Sequence, residues 1–411
     1  MSFKDLNLIK PIQKALEASG YIEPTLVQSR SIPSILDGKD VIVSAQTGTG
    51  KTAAYALPIL QSLFDKQDAP KHGKKIKALI ISPTRELAVQ IQQNFKIYAK
   101  FTNLRSLVVF GGASIEPQID VLKKGVDILV ATPGRLLDLH KQDYVNLDYV
   151  ETFVLDEADL MLAMGFIDDV KKIDRLCPDT KQTLLFSATI PYKIEQLAAS
   201  ILTNPERIDV TPNTSVTKDV SQILYYVPKR NKIELCLHLL RNTIKGNVLI
   251  FRRTKFGVNK LEQTLLKNGY KVDSIHGDKN QSDRQTALNK FKNGYVNVLI
   301  ATDVAARGID IDELDNVFNF DMPNVPETYV HRIGRTGRAG NIGIAYSMCS
   351  ADEKSYVKTI EQYLNVQIPV QPEHPYPLDP KAKPIVHKKK GSKYKKGRKS
   401  VASKKKKKRW Y

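Results

Sequence analysis

Cysteine is scarce: Cys177, Cys236 and Cys349 are the only three in 411 residues, far apart and in no CxxC spacing. Neither a thiolate metal site nor a disulfide framework is expected, and the three read as reduced core residues of a cytosolic protein. Long apolar runs are also missing, since no stretch nears the roughly 18 residues of a membrane span. The opening Met-Ser-Phe-Lys-Asp-Leu-Asn mixes charges from its start and lacks the apolar segment of a signal peptide. A cytoplasmic location without a membrane partner is therefore expected. Acidic residues are absent from 381–411, which hold 16 Lys and Arg; the remainder has 47 Lys and Arg against 43 acids, +4 of the total +20. Basicity is thus local, and clustered cations suit a polyanion whose condensed counterions they displace. A solubilising tail is the other reading.

What is present is an ordinary globular composition, 42% apolar and 26% charged, at a length suited to roughly two to three domains. Short β-rich runs at 41–45, 78–82, 107–110, 128–132, 152–156 and 183–187 alternate with longer helical patterns. A second series follows at 221–227, 248–251, 271–275, 296–302, 316–320 and 343–348. This is the pattern of an α/β fold with parallel sheets and crossover helices. Between the series, 204–219 dissolves into Thr, Pro, Asn and Ser. The expected organisation is a first domain over 1–205, a linker over 206–218 and a second domain over 219–370. Residues 371–411, Pro-rich and then Lys-rich, cannot bury enough apolar surface to fold and are expected to be disordered.

Open parallel sheets bind ligands beyond the carboxyl ends of their strands, and there the motifs fall. Ala45, Gln46, Thr47, Gly48, Thr49, Gly50, Lys51 and Thr52 follow a β-branched run and open a helical one. Glycines let backbone N–H groups approach phosphates and a helix N-terminus adds its positive end; Lys51 reaches terminal phosphates and Thr52 offers a hydroxyl to Mg²⁺. Ala45 stands where many phosphate loops have Gly. Downstream, an apolar run delivers Asp156, suited to Mg²⁺, and Glu157, suited to orienting and deprotonating water. Alone, that acidic cluster reads more plainly as a solvated turn. The phosphate loop upstream turns it into the second half of a nucleoside-triphosphatase site.

The tetrad Asp156-Glu157-Ala158-Asp159 resembles the signature of the DEAD-box ATP-dependent RNA helicases of superfamily 2, and motif order is similar from Phe3 to about Gly340. Within the family the chain looks most like the bacterial RhlE-type subgroup. The resemblance implies two tandem RecA-like domains, ATP and Mg²⁺ as cofactors, and RNA as partner. Residues 1–29 look like the adenine-sensing segment: Gln28 would pair with adenine, whose N6 and N7 an amide can meet, and Phe3 would stack on it or pack a helix. Pro83, Thr84, Arg85, Gly111, Gly112, Thr132 and Arg135 are similar to RNA-backbone contacts of the first domain. Singly, Thr84 is also a helix cap and Pro133-Gly134 a plain turn. Arg252, Gln281, Arg284, Thr302 and Gly308 look like the second domain's contacts, and Asp310 is implied at the ribose.

Asp159, Ser187 and Thr189 resemble the residues that couple the tetrad to the rest of the core. In 331–338, three arginines share eight residues with Gly334 and Gly337, each costing roughly 1 kcal/mol in a helix interior. The resemblance makes Arg335 and Arg338 arginine fingers and His331 a link between ATP and RNA sites. Leu160 and Ala163 depart from the Arg and Asp frequent there in the family. The implied activity is RNA-stimulated ATP hydrolysis driving local duplex unwinding or remodelling of RNA–protein complexes, with ribosomal precursors or the RNA-degradation machinery as possible settings. Alternatives are an ATP-gated RNA clamp, or a chaperone whose tail stacks Tyr394, Trp410 and Tyr411 on bases.

Overall fold

The computed structural model describes residues 2–46, 48–65, 75–210, 220–306, 314–337, 343–379 and 381–382. Expectations for Thr47, Gly308, Asp310, Arg338 and the Lys-rich stretch 383–411 lie outside them, and of Gln281 only the backbone is described.

The first domain opens with a 3-10 turn (Phe3–Leu6), α1 (Lys10–Ala18) and α2 (Leu26–Leu36). It then alternates through β1 (Val41–Ser44), α3 (Lys51–Asp65), β2 (Ala78–Ile81), α4 (Arg85–Tyr98), β3 (Ser106–Val109), α5 (Glu116–Lys123), β4 (Ile128–Ala131) and α6 (Pro133–Lys141). It closes with β5 (Thr152–Leu155), α7 (Ala158–Ala163), α8 (Ile167–Arg175), β6 (Gln182–Ser187), α9 (Tyr192–Ile201) and β7 (Glu206–Asp209). The seven strands form one sheet in the order β3-β4-β2-β5-β6-β1-β7. Val41, Val43, Ile80, Val130, Val154 and Phe186 meet α1 to α4 on one face. Ile42, Leu79, Leu129, Phe153 and Leu185 meet α5 to α9 on the other. Central strands buried on both faces read as unbroken apolar runs, which is why the sequence displays them. Each large side chain so buried contributes roughly 1.5–3 kcal/mol.

β7 corrects the expected linker. Glu206–Asp209 pairs in parallel with Val41–Ser44, so the first sheet extends four residues past 205. Of these four only Ile208 is buried, because an edge strand covers one face alone and needs no apolar run.

The second domain runs β8 (Val220–Tyr226), α10 (Lys232–Asn242), β9 (Val248–Arg252), α11 (Lys255–Lys267), β10 (Val272–Ile275) and α12 (Gln281–Lys292). It continues through β11 (Val298–Thr302), α13 (Asp303–Ala306), β12 (Asn316–Asn319), α14 (Pro326–Ile333), β13 (Gly343–Cys349) and α15 (Lys354–Leu364). Its six parallel strands are ordered β10-β11-β9-β12-β13-β8.

The chain does not leave this domain at 370, which corrects the disorder expected from 371. Leu224 N–H donates to Pro369 O at 2.8 Å, Gln371 N–H to Leu224 O at 2.9 Å and Leu378 N–H to Tyr226 O at 3.0 Å. His374 packs edge-on against Tyr225, and Tyr376 rests on the core. The strap lies along β8, an edge strand; there a Pro-rich segment needs only alternate backbone groups, so its missing N–H donors do no harm.

Candidate functional site

β1 and β5 flank β6 at the carboxyl edge of the first sheet, so the phosphate loop and the acidic tetrad end up on either side of Ser187. Ala45 still belongs to the sheet, its N–H donating to Ser187 O at 3.0 Å, so the cradle proper starts after it and no glycine is needed there. Gly48 (φ 84°) and Gly50 (φ 89°) take the left-handed backbone that lets the loop turn back over α3. Thr49 Oγ1 closes the turn on Gln46 O at 2.7 Å. A Cβ on Gly50 would lie 2.3 Å from Gln28 Nε2.

Gln28 is 1% exposed and engaged within the protein. Its Nε2 donates to Gly50 O at 3.2 Å and its Oε1 accepts from Thr25 N–H at 3.0 Å. The amide thus braces the phosphate loop, and pairing with adenine would require these bonds to be exchanged.

Lys51 and Glu157 form a buried ion pair, Nζ to Oε1 2.8 Å, with side chains 6% and 10% exposed. Burial opposes the Lys51 charge, yet Glu157, Asp156 and Asp159 outweigh it and hold its pKa above the usual lysine value. Glu157 sits at φ 54°, ψ 54°, an unfavourable backbone for a residue with a side chain, where β5 breaks into α7. Asp156 is 3% exposed; burial, then repulsion from Glu157, raises its pKa to about 6, with Lys51 pulling the other way. Its Oδ2 accepts from Tyr55 OH at 3.0 Å, whereas Oδ1 is buried without a hydrogen-bond partner. An orphan carboxylate oxygen one strand-end from Thr52 suits Mg²⁺. Among the described residues no three His, Cys, Asp or Glu side chains could hold a metal by themselves, so such an ion would need phosphate oxygens too.

Asp159 ties the tetrad to the next strand. Its Oδ2 accepts from Thr189 N–H (3.2 Å) and Oγ1 (3.0 Å), while Ser187 Oγ accepts from Asp159 N–H at 3.1 Å and donates to Thr189 O at 2.7 Å. These residues open onto a cavity of about 570 Å³ between the domains. Glu157, Asp159 and Thr189 line it from one side, His331 and Arg335 from the other. Leu160 and Ala163 make that wall locally apolar. The stretch 331–338 is not one basic helix: α14 stops at Ile333, Gly334 caps it, and Gly337 turns left-handed (φ 71°). Arg332 is 2% exposed and bonded to Asp303, Asn319 and Asp321 O, while Arg335 faces the cavity.

A second set of groups gathers beyond β2, β4 and β10. Thr84 caps α4, its Oγ1 accepting from Leu87 N–H at 3.3 Å, and Pro83 beside it is buried. The Arg85 guanidinium lies so close over Gly112 that a Cβ there would stand 2.1 Å away; Gly111 has open space. Thr132 starts α6 without capping it through its side chain. Arg135 donates to Ala113 O at 3.0 Å, and its Nε and Nη1 are buried without partners. From the other domain, Arg284 reaches Glu86 at 3.0 Å, with side chains 11% and 7% exposed. Gln281 begins α12 one turn earlier, and Thr302 ends β11 half-buried.

A DEAD/DEAH box helicase model matches residues 25–197, and a helicase conserved C-terminal domain model matches 231–340. The ATP-dependent RNA helicase CshA of Limosilactobacillus reuteri is 43% identical over 375 residues, covering 90% of this chain and 74% of that protein. The chain belongs to the DEAD-box ATP-dependent RNA helicases. Solved structures agree with that membership. S. cerevisiae Dbp5 bound to RNA and ADP BeF3 superposes on this helicase with a TM-score of 0.80 at 30% identity, covering 90% of this chain and 95% of that one. A Dbp5 variant bound to gle1 and ip6 gives 0.71 at 31% identity and the same coverage. These relatives establish the family and not the RhlE-type subgroup.

Two residues expected at ligand contacts are engaged within the protein. Phe3 is 6% exposed, packed with Leu6 and Leu8 and edge-on to Tyr21 at 6.3 Å, so its ring sits in the core, the second of the two placements expected for it. Arg252 is 15% exposed, bonded through Nε to Asp321 at 2.8 Å and stacked 4.0 Å over Phe320. Gly257 leaves room for that guanidinium, whose Nε is committed to Asp321. Two residues that motif reading passes over are Tyr55, which looks like one more apolar position of α3, and Glu86, whose partner lies 198 positions away in the other domain.

Proposed function

We propose that the helicase cleaves ATP at the seam between its domains and uses RNA to shut that seam. The observation that carries this reading is a cavity lined by Glu157 from one domain and Arg335 from the other. The phosphate loop grips the triphosphate through Lys51 and backbone N–H groups. Thr52 and Asp156 would hold Mg²⁺, which supplies charge neutralisation along the phosphates when bound. Glu157 orients a water and takes its proton as the new P–O bond forms and the bond to ADP breaks. Arg335 meets the charge that spreads over the γ-phosphoryl oxygens, and Arg338 is proposed as its companion.

Domain placement supports the reading: similarity is higher to Dbp5 carrying RNA and ADP BeF3 than to the Dbp5 variant without them in its description, 0.80 against 0.71. RNA would bind across Arg85, Gly111, Gly112, Thr132, Arg135, Gln281, Thr302 and Gly308. Arg and backbone donors suit phosphates and sugars, so binding tolerates sequence. A ligand that touches both domains favours closure, and by linkage ATP and RNA tighten each other. Ribosomal precursors or the RNA-degradation machinery in the cytoplasm are the proposed setting; no described helix is long and apolar enough to cross a membrane. Strand displacement on an RNA duplex tests the proposal: the wild type should unwind with ATP and Lys51→Ala should not. Unwinding by Lys51→Ala, or ATP turnover indifferent to RNA, would overturn it.

A further inference from the structure

Tyr55 lies one turn beyond Lys51 on α3 and is fully buried. Its ring is clamped between Phe186 (centroids 5.1 Å apart) and Phe95 (6.3 Å), which fixes where the hydroxyl points. That hydroxyl donates to Asp156 Oδ2 at 3.0 Å. The phenol is therefore tied to one of the two side chains proposed to hold the cation, one turn along α3 from the other. It occupies one Asp156 oxygen and leaves the other, Oδ1, buried and unpartnered. A core filled for packing alone would take Phe at this position, since a buried hydroxyl needs partners to offset its desolvation.

We propose that Tyr55 is a positioning residue for the metal–nucleotide site, its hydroxyl holding Asp156 in the orientation that Mg²⁺–ATP meets. This rests on the reading of Thr52 and Asp156 as metal-holding groups. Outer partners that orient metal ligands typically carry 10–100-fold in metal affinity. Tyr55→Phe removes the hydroxyl, frees Asp156 to rotate and leaves the packing ring in place.

The test uses the full chain, a fluorescent ATP analogue and a Mg²⁺ titration of its binding, with Mn²⁺ binding followed by electron paramagnetic resonance. Tyr55→Phe should need about tenfold more Mg²⁺ for half-maximal nucleotide binding, with binding in EDTA unchanged. Tyr55→Leu, which also lacks the hydroxyl but packs worse, should show the same Mg²⁺ shift with a lower melting temperature. A wild-type midpoint in Tyr55→Phe overturns the proposal, as does a shift that follows melting temperature across the two variants. Asp156→Asn separates the layers. If it shifts the midpoint and Tyr55→Phe does not, only the Tyr55 role fails; if it does not shift either, the metal-site reading fails with it.

Discussion

Lys51 Nζ lies 2.8 Å from Glu157 Oε1, so the cation meant for a phosphate and the carboxylate meant for water satisfy each other across the site. On the proposed mechanism a terminal phosphate arriving at Lys51 would take over the role of counter-charge and release Glu157 toward the cleft. Removing Lys51 leaves a buried carboxylate unpaired, a change that typically costs about 3–5 kcal/mol. Lys51→Ala should therefore lower the melting temperature of nucleotide-free protein as well as abolish turnover, and adding Glu157→Gln should recover part of the lost stability. Calorimetry of the wild type and the two variants checks this; equal melting temperatures would refute the pairing.

Glu157→Gln alone removes the proton acceptor and keeps a hydrogen-bonding amide. Hydrolysis at saturating RNA should fall by about 10²–10⁴-fold while ATP still binds. Single-turnover hydrolysis beside equilibrium binding reads both quantities, and a fall in binding to match the fall in rate would contradict the assigned role.

Arg335→Ala removes the second domain's contribution to the cavity. Because that arginine acts on charge developing in the transition state, kcat should drop by about 10³-fold or more with ATP affinity changed only a few-fold. A silent Arg335→Ala would remove the support for hydrolysis at a seam.

Arg284 and Glu86 join the domains through a nearly buried pair. Glu86→Ala leaves the arginine unpaired in the closed form, and closure should weaken enough to raise the RNA concentration for half-maximal ATPase by at least tenfold. The exchanged pair Glu86→Arg with Arg284→Glu should recover part of it. Energy transfer between dyes on the two domains reports closure directly.

The strap over 369–379 makes a prediction about truncation. Ending the chain after 382 should leave the second domain's melting temperature intact and weaken RNA binding, with a shallower salt dependence as Lys-rich charge is lost. Ending it after 368 uncovers β8 and should in addition lower that melting temperature. Equal melting temperatures for the two truncations would show that the strap adds no stability.

Twelve of the thirteen strands among the described residues were legible: central strands covered on both sides are apolar along their length, and the edge strands β3, β8 and β10 still carry Val, Leu or Ile. β7 was not, since only Ile208 among its residues meets the core. The strap escaped for a related reason: its prolines signal disorder, yet one edge strand supplies all the backbone partners it needs. The phosphate loop and tetrad were readable because their spacing along the chain is itself the chemistry. Arg252, Phe3 and Tyr55 show where that ends. An arginine's choice between Asp321 and a phosphate, or a phenol's between solvent and Asp156, is decided by side chains distant in sequence.

β7 hydrogen-bonds along β1, and Val210 N–H meets Ser44 O at 2.8 Å, immediately before the phosphate loop begins. The covalent exit from the first lobe is therefore stitched to the same strand that leads into the phosphate loop. A pull on 206–209 would load this ladder in shear, directly beside the proposed nucleotide site.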